Sequence, residues 1–210
     1  RGDITFIANN IVNRDEGADD PEDPYNTTGT ASQYNDRLNM QYIDIDGDPS
    51  TFSSSSADLN MTDLNCTRIR YAGLYWGAVY PFDGDKSANG RSSDYNRIKF
   101  SIPGSAYQDI VADEILFDGL DDADFGSYSP YICYKDVTSM VTALDDPTGT
   151  YTVANVRAAA GGRNIRGGIS GGWTLILVFE NPTMPAKNIA TFDGYAGIKA
   201  GETVDVPFSG

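Results

Sequence analysis

The sequence contains no histidine among its 210 residues. That removes the side chain most often used as a general base and as a metal ligand near neutral pH. Cysteine is nearly absent too: Cys66 and Cys133 are the two present, and they form no Cys-x-x-Cys pair, so a zinc site lacks its donor set. Positive charge is scarce, with 15 Lys and Arg against 30 Asp and Glu and a formal net charge of −15. Without a basic stripe, nucleic acid and anionic membrane are poor partners. No apolar run reaches the roughly 18 residues that a membrane-spanning helix needs, so direct membrane insertion is not expected. Nor does a secretory leader open the chain: Arg1-Gly2-Asp3 runs straight into strand-like residues, the pattern of a mature N-terminus after processing. The Arg-Gly-Asp triplet itself, at a chain end, is too weak a signal for integrin recognition.

What the chain has in quantity suits sheets. Tyr (13) and Phe (9) supply bulk for a core, and Gly (22) supplies turns. Residues 4–7 and 38–42 read as strands, and residues 69–79 as a long apolar strand with Gly73 and Gly77 inside it. Ile98, Phe100 and Ile102 alternate with polar neighbours, and residues 107–111, 115–117 and 151–153 continue the pattern. Residues 173–179 are almost continuously apolar, as in a central strand covered on both faces. A strand over 189–192 follows a Pro-bearing turn. Val204, Val206 and Phe208 alternate as a last strand that stops close to Gly210, so the chain reads as cut from a longer protein, with a partner strand missing. One helix is expected, since Val137, Met140, Val141 and Leu144 share a face, with Asp136 to cap its start. The acidic stretch over 13–36 and the serine-rich stretch over 53–56 read as loops. The sum is an all-β chain: a jelly-roll-like β-sandwich with long loops and one short helix, a single domain over 1–210.

Chemistry-bearing patterns are few. A disulfide between Cys66 and Cys133 suits an oxidising compartment and closes a 67-residue loop, worth about 4 kcal/mol in the chain-entropy model; two separate buried thiols are the alternative. Asp44, Asp46 and Asp48 alternate around Gly47 like the start of a Ca²⁺ loop. The glycine comes too early for an EF-hand, and Ser55 stands where the bidentate glutamate belongs. Asp121, Asp122 and Asp124 form a further cluster. Three Phe-Asp-Gly triplets, at 82–84, 117–119 and 192–194, read as strand ends closed by turns, with Ca²⁺ capture at one edge as the alternative. Serine nucleophiles have no histidine to activate them, and the carboxylates carry no spacing that singles out a glycosidase pair. Residues 161–168 are glycine-rich with Arg163 and Arg166 but lack the Lys-Ser/Thr ending of a phosphate-binding loop. Tyr71, Tyr75, Trp76, Tyr80, Tyr128, Tyr131 and Tyr134 are candidates for stacking on sugar rings. Tyr128 and Tyr131, flanking Ser129-Pro130, are the best exposed of them.

Five segments carry a resemblance: Ile4-Thr5-Phe6-Ile7-Ala8-Asn9-Asn10, residues 69–77, Lys135-Asp136-Val137-Thr138, residues 171–180 and residues 188–194. Their order and phrasing resemble a module in the N-terminal region of giant Bacteroidetes cell-surface adhesins of the gliding-motility type. The resemblance implies export through the type IX secretion system, display at the outer membrane and many further domains. It implies no catalytic residues. The expected function is a non-catalytic module of such an adhesin, with outer-membrane secretion or gliding machinery proteins, and surface polysaccharide, as partners. The alternative is a calcium-dependent, carbohydrate-binding, lectin-like domain.

Overall fold

Alternation of apolar and polar residues decides which segments pair, because a strand turns successive side chains to opposite faces. The computed structural model describes residues 1–15, 39–61, 66–82, 90–160, 168–198 and 201–207. These described residues form eleven strands and one helix: β1 Gly2–Asn10, β2 Val12–Arg14, β3 Met40–Tyr42, β4 Ser54–Leu59, β5 Arg68–Val79, β6 Arg97–Ser101, β7 Gln108–Val111, β8 Glu114–Asp118, β9 Pro130–Asp136, α1 Thr138–Thr142, β10 Gly149–Ala154 and β11 Gly171–Glu180.

A five-stranded sheet, in the order β1-β11-β5-β9-β8, faces a four-stranded sheet in the order β4-β10-β6-β7; β2 and β3 form a separate ribbon. Four antiparallel pairs define the topology: β1 with β11, β4 with β10, β5 with β9, and β6 with β7. They nest one inside the next along the chain and alternate between the two sheets. That is the jelly-roll winding, in which a long hairpin of strand pairs wraps into a sandwich.

The core lies between the sheets. Leu74 and Trp76 of β5, Tyr131 and Cys133 of β9, and Leu175 and Leu177 of β11 meet Phe100 of β6 and Tyr151 and Val153 of β10. Each fully buried large side chain contributes roughly 1.5–3 kcal/mol relative to leaving it exposed. Both indole N–H groups at this interface find partners: Trp76 donates to the Tyr95 carbonyl at 3.1 Å, and Trp173 to the Ser55 hydroxyl at 2.8 Å.

Several expectations change. Residues 54–56 are strand, not loop: β4 buries Ser54 and Ser55 completely or nearly so against the core. Tyr131 is fully buried in β9 rather than exposed, and Tyr128 is half-buried against the core. Ser129, at φ 40°, makes the sharp turn that lets Pro130 open the strand. Residues 189–192 form no strand, and Val204 and Val206 are exposed and unladdered; the outer strand of that sheet edge is β1. The helix is a short one that buries Val141. Its N-cap is Val137, which makes no side-chain capping bond; the Asp136 carboxylate accepts the Thr138 amide from one residue earlier, at 2.8 Å.

Candidate binding face on the five-stranded sheet

Directly opposed residues of antiparallel strands share a face. The register therefore places Ile4, Val178 and Tyr71 in one row on the outer side of the five-stranded sheet. Phe6, Ile176 and Gly73 form the next, and Ala8, Thr174, Tyr75 and Tyr134 a third. The fourth row is Asn10, Gly172, Gly77 and Ile132. This face is apolar at its β1 edge, where Ile4 and Phe6 are 43% and 69% exposed.

Three phenols cross its middle. The Tyr71 hydroxyl donates to Tyr134 at 3.2 Å and lies 3.3 Å from the Tyr75 hydroxyl, and Tyr75 donates to the Asp193 carboxylate at 2.9 Å. Burial pushes the Tyr71 and Tyr75 phenols up to about 12, and the Asp193 carboxylate adds to the effect on Tyr75. They stay neutral, as hydrogen-bond donors, throughout the physiological range.

Asp193 belongs to an irregular segment, residues 188–198, that runs over this face. Tyr195 stacks on Phe117 at 4.0 Å between ring centroids with planes 10° apart, and meets Phe125 edge-on at 6.0 Å. Beside Tyr195 the sheet is hollowed into a groove of about 620 Å³. Gly77 and Gly172, opposed in the register, form its floor with Gly171; Asn9, Asn10, Thr174, Ile132 and Tyr195 are at its sides. Glycine is required at both opposed positions: a Cβ on Gly77 would come within 2.3 Å of the Tyr131 carbonyl, and one on Gly172 within 2.7 Å of the Asn9 carbonyl. The lining carries an amide, hydroxyls, aromatic surface and exposed backbone, and no carboxylate, amine or guanidinium among the described residues. Such a surface is suited to holding a neutral, hydroxyl-rich or peptide-like ligand, since uncharged donors and acceptors beside an apolar wall fix orientation without acid–base chemistry.

The residues singled out from sequence are placed elsewhere. Asp44, Asp46 and Asp48 do not converge on a common point. Asp44 accepts the Ser54 hydroxyl at 2.8 Å, and Asp48 accepts the Ser50 amide at 2.8 Å. Asp46 takes the Asp48 amide at 2.8 Å, the Thr51 hydroxyl at 3.0 Å and the Tyr107 hydroxyl. Burial works against ionisation of Asp46, but the bonds from Tyr107, Asp48 and Thr51 outweigh it and hold its carboxyl below the usual range. Among the described residues no three potential ligands are grouped to hold a metal ion. Alternating aspartates serve here as loop-closing acceptors, the role short acidic side chains take in turns.

The cysteines are free: Cys66 is exposed and Cys133 buried. Cys133 pairs across from Trp76, ten positions along the chain from Cys66, and at about 3.3 Å per strand residue that separation is far beyond the roughly 7 Å Cα limit of a disulfide. Burial raises the Cys133 thiol to about 12, so it packs as a small apolar group. Of the Phe-Asp-Gly triplets, Asp118 accepts Arg91 and Tyr95, and Asp193 accepts Tyr75; residues 83 and 84 of the third lie outside the described residues, as do Arg163 and Arg166. Asp122 accepts the amides of Asp124 and Phe125 at 2.8 and 2.9 Å, closing a turn. Arg1-Gly2-Asp3 leads into β1, where the Asp3 carboxylate pairs with Lys187. Of the candidate stacking aromatics, Trp76, Tyr80 and Tyr131 are core. Tyr195, which stands beside the groove, was not singled out from sequence; its position depends on how residues 188–198 cross the sheet.

No family model, no curated protein and no solved structure significantly matches this chain.

Proposed function

We propose that this chain is a non-catalytic interaction module of a large cell-surface adhesin that serves gliding motility and surface attachment. On this reading it is exported by the type IX secretion system and held at the outer membrane by proteins of the secretion or gliding machinery. The observation that carries the proposal is the outer face of the five-stranded sheet. It joins an exposed apolar edge at Ile4 and Phe6 to a glycine-floored groove beside Tyr195, and contiguous exposed apolar surface is where proteins dock. Of the five adhesin-like segments, three fall in β1, β5 and β11 of that sheet, one at the β9–α1 junction and one in the segment over 188–194 that crosses it. The test is surface labelling and fractionation of cells that carry the full protein, followed by capture of this module. Recovery with outer-membrane proteins supports the reading; recovery from the cytoplasm alone defeats it.

A second reading, a carbohydrate-binding lectin-like domain, is favoured by one feature, the uncharged groove lined by Asn10, Thr174 and Tyr195. The carboxylates of Asp44, Asp46 and Asp48 accept hydrogen bonds from Ser54, Asp48 and Ser50, so this reading is placed at the groove and not at the aspartate loop.

A further inference from the structure

A second groove, of about 370 Å³, crosses β6 and β7 on the four-stranded sheet. Its charge runs against that of the chain. Arg97, Lys99 and Arg157 gather there with two acids, Asp94 and Asp109, on a protein whose net charge is −15. Two of the three cations are committed. Arg157 donates from Nε and Nη2 to the two Asp94 oxygens at 3.1 and 2.9 Å, with its guanidinium 4.7 Å from the Phe52 ring centroid. Lys99 pairs with Asp109 at 3.0 Å. The third is not: Arg97 is exposed, and its guanidinium has no hydrogen-bond or ion-pair partner among the described residues. Directly across the ladder from Arg97 stands Val111, 39% exposed.

We propose that this groove binds a carboxylated polysaccharide, with the Arg97 guanidinium gripping a uronate carboxylate and Val111 lying under the ring. A guanidinium fork matches the two oxygens of a carboxylate and binds them bidentately. The apolar patch beside it fits the C–H face of a pyranose and offers nothing to a bare anion. The net negative charge does not forbid this, because fields from distant carboxylates are screened beyond about 8 Å at physiological ionic strength while the Arg97 guanidinium acts at contact. Nucleic acid is a poorer fit: with 15 Lys and Arg against 30 Asp and Glu the chain has no basic stripe to follow a phosphate backbone, and the groove's one aromatic ring is already covered by Arg157. The inference rests on the surface-attachment reading for where the ligand is met, not for the binding itself.

The test is calorimetric titration of the full chain with oligogalacturonate. Binding is expected, with an affinity loss of at least tenfold for Arg97→Ala, a partial loss for Arg97→Lys and no change for Arg70→Ala, whose guanidinium pairs with Glu180 on the other sheet. The methyl-esterified oligosaccharide should bind at least tenfold more weakly than the acid. No binding, equal binding of ester and acid, or an unchanged Arg97→Ala overturns the proposal, and polyglutamate binding as tightly as the oligouronate overturns the saccharide assignment. Because the titration uses purified protein, its failure leaves the surface-labelling result standing.

Discussion

The two faces of the five-stranded sheet are built from the same strands and obey different rules. On the inner face Leu74, Trp76, Leu175 and Leu177 are 0–1% exposed and interlock with the second sheet. On the outer face the same strands carry tyrosines joined through hydroxyls, opposed glycines and partly exposed aliphatic residues. The inner face is fixed by shape; the outer face is held by hydrogen bonds and one stacked ring, and keeps surface free. The difference teaches that here stability and recognition are assigned to alternate residues of one ladder, so that either is changed without rebuilding the other.

That separation can be broken on purpose. Trp76→Ala removes one of the two inner tryptophans and leaves the Tyr95 carbonyl without its donor; a loss of about 3–5 kcal/mol is expected in urea unfolding. Tyr75→Phe deletes the bond to Asp193 and one link of the phenol chain, and should cost about 0.5–1.5 kcal/mol. The same phenols set an alkaline limit. The folded state raises Tyr71 and Tyr75 from about 10 to about 12, so it binds more protons than the unfolded chain between those values. Their contribution is intact below pH about 10 and is lost as pH rises through about 12. Thermal unfolding across that window, followed with tyrosinate absorbance, should show the loss, and Tyr75→Phe should flatten it. Phe6→Ser, at a 69% exposed outer position, should change stability by no more than about 0.5 kcal/mol. A cost near that of Trp76→Ala would mean that the outer face is structural after all.

The sequence was most legible where periodicity was long. Residues 69–79 and 173–179 announced β5 and β11, and the count of short strands with one helix announced a jelly-roll-like sandwich. It misled where local chemistry and tertiary position disagree. Serines 54 and 55 have little strand preference, yet they enter β4 because small side chains fit beneath Trp173, whose indole satisfies Ser55. Ser129-Pro130 reads as loop punctuation, but it opens β9 and carries Tyr131 into the core. The aspartates of residues 44–48 look alike as metal ligands and as turn acceptors, since both roles need short carboxylates at alternate positions. Neither groove was visible in advance. One needs the register that sets Gly77 against Gly172, and the other needs β6 and β7 to meet Arg157 from the start of another loop; both relations join residues at least 45 positions apart.

The nested winding has a mechanical side. Gly2 lies opposite Glu180, and the Asn181 amide bonds to the Arg1 carbonyl at 3.1 Å, so the path into the sandwich and the path out of its last strand share one corner. Tension applied at Arg1 and Asn181 would open the β1–β11 ladder like a zipper, one rung after another, instead of sliding all its rungs together. Resistance to pulling would then be small at that corner, and a module under tow would depend on how firmly the residues beyond Asn181 grip the sheet they cross.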